Sequence, residues 1–305
     1  MRHQPVLLNE VLDGLRLKPG DSVIDCTLGD GGHAEAILEK TAPDGRLLGI
    51  DADAESLLRA KRFLYRFGER VVCARDNFSN LKQLAGSDGF DKVAAIIFDL
   101  GWSSPQFEER GRGFSFLKDE PLDMRYDSQN FQNNNVKTAA DIINELSEKE
   151  LSAIFKKFGE EKFSREIAAA IVEERKKTAI KTTGQLVEVI LQIYREQLRS
   201  ELAVPWIGGL HPATKVFQAL RVEVNGELEV LKQALPQATE LLATGGRLAV
   251  ISFHSLEDRI VKRYFQSVAG RLLRLVAKKP LVASAEELAA NPRARSAKLR
   301  LAEKI

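Results

Sequence analysis

Four short apolar runs, with helical stretches between them, constrain this chain more than any other feature. They are Ser22 to Cys26, Arg46 to Ile50, Val71 to Ala74 and Val93 to Phe98. Between them, Ala34 to Lys40, Asp53 to about Phe67 and Ser79 to Leu84 read as helices, the second capped by Asp53, whose side chain can accept from free amides at a helix start. Strands that alternate with helices need crossover connections, which build a parallel sheet covered on both faces. Asp51 and Asp99 directly follow the second and fourth runs, and Asp25 lies at the end of the first. Open sheets of this kind bind ligands outside the carboxyl ends of their strands. Asp51 and Asp99 are therefore candidate site residues.

The pattern breaks after Gln106. Glu108 to Asn135 is polar and rich in Asn, Gly and charge. From Ala139 to about Ser200 the apolar residues recur at helical spacing, as in Leu151, Ile154, Phe155 and Phe158, or Leu186, Val189, Ile190 and Ile193. Strand and helix signals resume near Pro212, with helices over Ala213 to Val224 and Glu227 to Leu242. A strand from Arg247 to Phe253 and a helix from Leu256 to Phe265 follow, and Leu272 to Val276 and Leu299 to Ala302 read as closing strands. The expected organisation is a discontinuous α/β domain, residues 1–105 and 214–305, split by a helical insertion over 106–213.

Composition bears on partners and compartment. No apolar run nears the roughly 18 residues of a membrane span, and the N-terminus carries no signal-like apolar stretch. Cys26 and Cys73 are too few for a disulfide framework or a zinc site and read as small core residues, which fits the cytoplasm. The four histidines, His3, His33, His211 and His254, have no ligand-like spacing, so no metal site is expected. From Arg271 to Ile305 nine basic residues stand against three acids, a net +6 in a chain whose total is +2. A basic segment on a near-neutral body suits contact with phosphates, and a solvated face explains it equally well.

The turn Gly29-Asp30-Gly31-Gly32-His33 follows the first strand, and Asp51 lies where an acid meets ribose hydroxyls in a dinucleotide site. Asp25 and Asp30 flank that turn, and a carboxylate beside a pyrophosphate is electrostatically costly. S-adenosylmethionine carries an ammonium and a sulfonium instead of phosphate, so acids attract it. Phe78, just past the third strand, is a candidate to lie against adenine, although a core role is common for phenylalanine. Ser103-Ser104-Pro105 follows Asp99 closely. Backbone carbonyls held rigid before a proline can accept from an exocyclic amine and aim it at a methyl donor. His254 begins a helix after the fifth strand and is a candidate to touch substrate or take a released proton. Arg112 and Arg125 in the polar loop are candidates to stack on bases or grip phosphates.

These blocks, taken together, resemble the MraW/RsmH family of bacterial 16S rRNA cytidine N4-methyltransferases. The likeness runs through His3-x-Pro5-Val6-Leu7-Leu8-x-Glu10, the glycine turn, and Asp99-Leu100-Gly101-x-Ser103-Ser104-Pro105-Gln106. It continues through Arg112-Gly113-Phe114-Ser115-Phe116, Pro121-Leu122-Asp123-Met124-Arg125, His211-Pro212-Ala213-Thr214 and Phe217-Gln218-Ala219-Leu220-Arg221. Ser252-Phe253-His254-Ser255-Leu256-Glu257-Asp258 and Asn291-Pro292-Arg293-Ala294-Arg295-Ser296 complete it. The resemblance implies a class I, Rossmann-like S-adenosylmethionine-dependent methyltransferase sheet with an inserted all-helical domain that recognises substrate. It implies methylation of the exocyclic N4 of a cytidine in the decoding region of 16S rRNA. By the same likeness Gly31, Gly32, His33, Asp51, Phe78, Asp99 and Gln106 contact the cofactor. The tail residues Arg293 and Arg295 join Arg112 and Arg125 as substrate-binding candidates. Expected partners are 16S rRNA within the small ribosomal subunit and no membrane, with a homodimer as a candidate assembly. Trp102 and Glu120 depart from the family pattern, where a smaller apolar residue and a glycine are usual.

Three rival classes share parts of this pattern. A methyltransferase acting on an amine of DNA or protein would use the same turn. A binding module would keep the sheet without chemistry, which the glycine turn, Asp51 and Asp99 argue against. A dehydrogenase lacks an evident His-Arg pair for hydride transfer and has an acidic turn.

Overall fold

The computed structural model describes residues 5–101, 111–126, 136–199 and 210–305. Trp102, Ser103, Ser104, Pro105 and Gln106 lie outside the described residues. Contacts group the chain into two compact units, Met1–Ser103 with Leu228–Ile305, and Ser104–Glu227.

The first unit holds a seven-stranded sheet in the order β3-β2-β1-β4-β5-β7-β6. Its strands are β1 (Val23–Asp25), β2 (Leu47–Asp51), β3 (Val71–Arg75), β4 (Val93–Asp99), β5 (Leu242–Ser252), β6 (Leu273–Leu275) and β7 (Lys298–Lys304). β1 to β5 are parallel, while β7 runs antiparallel to both β5 and β6. The chain steps outward from β1 to β3, then returns to place β4 on the other side of β1. The strand order therefore reverses between β1 and β4, where open sheets leave a crevice for ligand.

Alternation along each strand builds two cores. Ile24, Leu48, Ile50, Ile96, Phe98, Leu248 and Val250 face one side. They meet α4 (Leu81–Ser87), α10 (Glu227–Leu241) and α11 (Ser255–Val268) through Leu81, Leu235, Val261 and Phe265. Val23, Leu47, Ala95, Ile97, Ala249 and Ile251 face the other side, against α1 (Leu8–Leu15), α2 (Gly32–Lys40) and α3 (Ala54–Phe63). Strands buried on both faces read as continuous apolar runs, which is why the sequence shows them so plainly. Each fully buried large side chain, such as Phe98, contributes roughly 1.5–3 kcal/mol.

Two local outcomes differ from the sequence reading. The helix expected through Phe67 ends at Phe63, and a 3-10 turn follows over Tyr65–Arg70, interrupted at Gly68 with φ 56°. β5 begins at Leu242 rather than Arg247, because Val93 pairs with Leu242 and Ala95 with Arg247, so the residues between bulge out of the ladder. Gly246 is required inside that bulge. A Cβ there would stand 2.8 Å from the Ala243 carbonyl oxygen and 3.0 and 3.1 Å from those of Ala94 and Val93. Gly246→Ala is expected to cost about 2 kcal/mol or more, since backbone rather than a flexible side chain must yield. Chemical denaturation would show this as a lower midpoint.

The second unit is helical among its described residues, with α5 (Ala139–Glu145), α6 (Glu148–Gly159), α7 (Ser164–Lys177), α8 (Thr183–Leu198) and α9 (Thr214–Asn225). Thr138 with Asp141, Ser147 with Glu150 and Thr182 with Gln185 form capping boxes that start α5, α6 and α8. The helix expected to open the returning sheet domain, α9, instead groups with this unit. Its Gln218 donates to the Phe158 carbonyl of α6 at 2.8 Å, and its Lys215 donates to the Glu160 carbonyl at 3.1 Å. Buried Glu161, between α6 and α7, accepts from the Phe163 N–H at 2.9 Å and ties that turn to α8 by accepting from Tyr194 Oη at 2.9 Å. Among the described residues no helix is long and apolar enough to cross a membrane.

Candidate active site

The carboxyl edge of the sheet unit gathers three acids on neighbouring strands. Asp25 ends β1, Asp51 ends β2 and Asp99 ends β4. The turn after β1 lies beside them. Gly31 takes φ 86°, a left-handed conformation that favours glycine, and caps α2, whose first residues are Gly32 and His33.

Hydrogen bonds lock this edge together. Thr27 bridges the strand ends: its N–H donates to Asp25 Oδ1 at 3.0 Å, and its Oγ1 accepts from the Asp99 N–H at 2.7 Å. Asp51 receives the Gly29 N–H at 2.8 Å on one oxygen and the Asp53 N–H at 2.8 Å on the other. Asp53 itself caps α3, accepting from Ser56 N–H at 3.0 Å, as its position before the helix predicts. Asp30 has a cationic partner, Arg59 Nε at 2.8 Å, so its charge is offset and it contributes less to the acidity of the turn than sequence suggests.

Burial dominates the electrostatics of the three strand-end acids. It pushes the Asp25 carboxyl up to about 7, opposed by hydrogen bonds from Thr27 and reinforced by the charge of Asp51. Burial lifts Asp51 to about 6, opposed by the Asp53 and Gly29 N–H groups. Asp99 is driven well above the usual carboxylate range by burial first, then by the charges of Asp25 and Glu257. Asp99 Oδ1 is buried and has no hydrogen-bond partner among the described residues. An edge of acceptors, held short of their ordinary ionisation, gains from hydroxyl donors and from a cation. It repels a phosphate. The residues present therefore fit S-adenosylmethionine, with its ribose hydroxyls and two positive centres.

His33 stands beside Asp99, with Nδ1 3.6 Å from Asp99 Oδ2 and only 6% of the residue exposed. Its Nε2 lies 3.1 Å from the Val6 carbonyl oxygen. A carbonyl only accepts, so Nε2 carries the proton and Nδ1 is the atom turned to Asp99. Phe78, three residues past β3, packs edge-on against Phe98 at 5.4 Å between centroids and remains half-buried. Gly31, Gly32, His33, Asp51 and Asp99 thus share one edge, while Gln106, Ser103, Ser104 and Pro105 fall outside the described residues.

His254 occupies the N-cap of α11. Its Nδ1 accepts from the Glu257 N–H at 3.4 Å, and Glu257 Oε2 accepts in return from the Phe253 and His254 N–H groups. That is a capping role, performed by an imidazole at the same sheet edge. Arg112 and Arg125 are half-buried in the second unit and organise its loop. Arg112 Nη1 donates to the Arg125 and Tyr126 carbonyls at 3.3 and 3.1 Å, and Arg125 forks onto Asp123 at 2.8 and 2.7 Å. Buried Glu120, the departure from the family pattern, accepts from the Gly113 N–H at 3.0 Å. The same loop is fastened to the end of α9, where Tyr126 N–H donates to Asn225, and to Glu227 at the start of α10, which accepts from Tyr126 Oη. Arg293 and Arg295 lie in a 3-10 turn, Pro292–Ser296, leading into β7. Lys298 at the start of β7 pairs with Ser252 at the end of β5, so that turn enters at the carboxyl edge.

Sequence reasoning missed Thr27 and the short helix α12 (Ala285–Ala290). No local signal marks Thr27, since its role depends on β1 and β4 being neighbours. Ser284 followed three residues later by Glu287 is a helix-start signature that does mark α12, and Ser284 caps it.

Comparison with known proteins agrees along the whole chain. The profile of the MraW methylase family matches residues 1–305. A protein named ribosomal RNA small subunit methyltransferase H from Carboxydothermus hydrogenoformans is 44% identical, covering 99% of this chain and 98% of its own length. Proteins of the same name from Brevibacillus brevis and Dehalococcoides mccartyi are 43% and 46% identical, each over 99% of this chain and over 98% and 86% of their own lengths. With its acid-lined strand ends and a family match that spans every block of the sequence, this chain belongs to the MraW methylase family.

Proposed function

We propose that this protein methylates the exocyclic N4 of a cytidine in the decoding region of 16S rRNA, using S-adenosylmethionine. The observation that carries this reading is the acid edge at the β1–β4 reversal, with Asp99 Oδ1 buried and open to a donor. The family match and the names of its relatives support the RNA substrate. When bound, the cofactor supplies a methyl group activated on a sulfonium.

The chain's own residues hold and orient. Asp51, fixed by two backbone N–H groups, accepts from ribose hydroxyls. Asp99 and Asp25 offer negative charge to the cationic centres, and His33 stands beside Asp99. Gly31 and Gly32 keep side chains away from the approach, and Phe78 and Gln106 complete the cofactor contacts. The Ser103-Ser104-Pro105 turn directs the cytidine amine, an acceptor role suited to a nitrogen whose lone pair is delocalised into its ring. His254, whose Nδ1 caps α11 while its Nε2 makes no hydrogen bond among the described residues, is the candidate at this edge to touch substrate or take the released proton. The sheet unit is the methyltransferase domain, and the helical insertion recognises substrate. The substrate is the rRNA of the small subunit in the cytoplasm, and a homodimer is the candidate assembly.

Arg293 and Arg295 at the carboxyl edge meet RNA phosphates. The double substitution of both to glutamate is expected to raise the KM for RNA several-fold and to reduce the salt slope of RNA binding by about two. Cofactor affinity should not change.

The test of the whole reading uses S-adenosylmethionine with an isotope-labelled methyl group and small subunits from cells that lack the modification. Mass spectrometry of the nucleoside digest is expected to find label in N4-methylcytidine. Label in another nucleoside overturns the target, and label in DNA or protein alone overturns the substrate class.

A further inference from the structure

The N-terminal segment lies directly on the cofactor edge, and a residue from the far end of the chain holds it there. Pro5 packs on Gly32 so closely that a Cβ at Gly32 would come within 2.6 Å of the proline ring. Val6 turns its carbonyl to His33 Nε2 at 3.1 Å. Leu7, fully buried, adopts φ 54° and ψ 35°, a left-handed conformation that a branched side chain rarely takes. Such a conformation persists only where surrounding contacts over-determine it. One contact stands out. Glu287 Oε1 accepts the Leu7 N–H at 2.6 Å across 280 residues of sequence.

Glu287 is itself firmly placed. Its N–H donates to Ser284 Oγ at 3.1 Å, and its carbonyl accepts from the N–H of Asn291, which is buried. Ala294 and Ala297 just beyond belong to the same core as Val6, Leu7 and Val11. A continuous path therefore runs from Glu287 to Leu7, through the Val6 carbonyl to His33, and from His33 Nδ1 to Asp99. Rotation of the peptide between Val6 and Leu7 would move the acceptor and the donor together, since both belong to that one unit.

We propose that Glu287 is a positioning residue for the cofactor site: by fixing the Val6–Leu7 peptide it holds the His33 ring, through its Nε2–H, in the orientation that sets it beside Asp99. The inference rests on the reading of this edge as the S-adenosylmethionine site. It also gives the C-terminal segment a part in cofactor binding that its basic charge alone does not suggest.

Calorimetry with S-adenosylhomocysteine on the full chain tests it through a double-mutant cycle. Glu287→Ala is expected to weaken binding roughly tenfold, the size of one lost charge-assisted hydrogen bond. Glu287→Gln, which keeps an acceptor oxygen, should restore most of the affinity. In a His33→Ala background, Glu287→Ala should add nothing further. Nitrogen NMR of labelled histidine should show His33 protonated at Nε2 in the parent chain and a mixture of tautomers in Glu287→Ala. A Glu287→Ala effect that adds in full to that of His33→Ala overturns the proposal, as does an unchanged affinity in Glu287→Ala. If His33→Ala alone leaves affinity unchanged, the reading of the site fails instead.

Discussion

Asp99→Asn is expected to lower kcat/KM by at least about a hundredfold while raising the thermal stability of the ligand-free protein. Both effects have one cause. Asp99 is half-buried at the end of β4 with Oδ1 fully enclosed, beside Asp25 and within reach of the Glu257 charge, so the fold disfavours its ionised form. An amide of the same shape removes that penalty. It also removes the negative charge offered to a cationic ligand and replaces one acceptor oxygen with a donor. A carboxylate whose native pKa lies above its unfolded value binds its proton more tightly in the folded state, so ionisation at neutral pH works against folding. Thermal unfolding without ligand should show a higher Tm for Asp99→Asn, and calorimetry should show weaker cofactor binding. Lower Tm with unchanged cofactor affinity would contradict the assignment of Asp99 to the site.

Asp51→Ala is expected to weaken S-adenosylmethionine binding on the order of 100-fold, the equivalent of two hydrogen bonds to a charged acceptor. The effect on kcat at saturating cofactor should be smaller, because in the proposed arrangement Asp51 meets the ribose and not the reacting amine. The pH dependence gives this prediction a second signature. Burial raises Asp51 to about 6, against an unfolded value near 3.9. Between those values the folded chain binds more protons than the unfolded one, so ligand-free stability falls as pH rises through this window. Cofactor affinity moves the opposite way, since the ionised carboxylate is the acceptor. From Asp51 alone, affinity should rise about fourfold between pH 5.5 and 7.5. Asp25, raised to about 7, adds to the same trend. Calorimetry across this range should lose the Asp51 share of the slope in Asp51→Ala, and an unchanged profile would remove Asp51 from the site.

The sequence carried the sheet almost completely, because strands buried on two faces leave continuous apolar runs whatever their neighbours are. Six of the seven strands lie close to where the sequence places them, β5 begins earlier, at Leu242, and the described residues of the second compact unit carry the helical period. Two boundaries departed from the sequence reading, one for a local reason and one for a tertiary one. Gly68 interrupts the turn after α3, and the bulge at Gly246 needs the carbonyls of Val93 and Ala94 to explain it. The assignment of α9 to the helical unit was invisible because an amphipathic helix does not say which partner its apolar face will meet.

Strand ends and spacing were enough to nominate Asp51, Asp99 and the glycine turn, since each sits at a chain position with a defined backbone role, whereas His33 came only with the family resemblance. Only the tertiary structure decided how those residues act on one another. It paired Asp30 with Arg59, set His254 Nδ1 at the cap of α11, and joined Asp25 to Asp99 through Thr27. It also brought Glu287 to Leu7 from the opposite end of the chain. The physical reason is the range of the forces involved. Periodicity and capping act within a few residues and are written locally, whereas desolvation, charge coupling and long-range hydrogen bonds depend on which strands become neighbours.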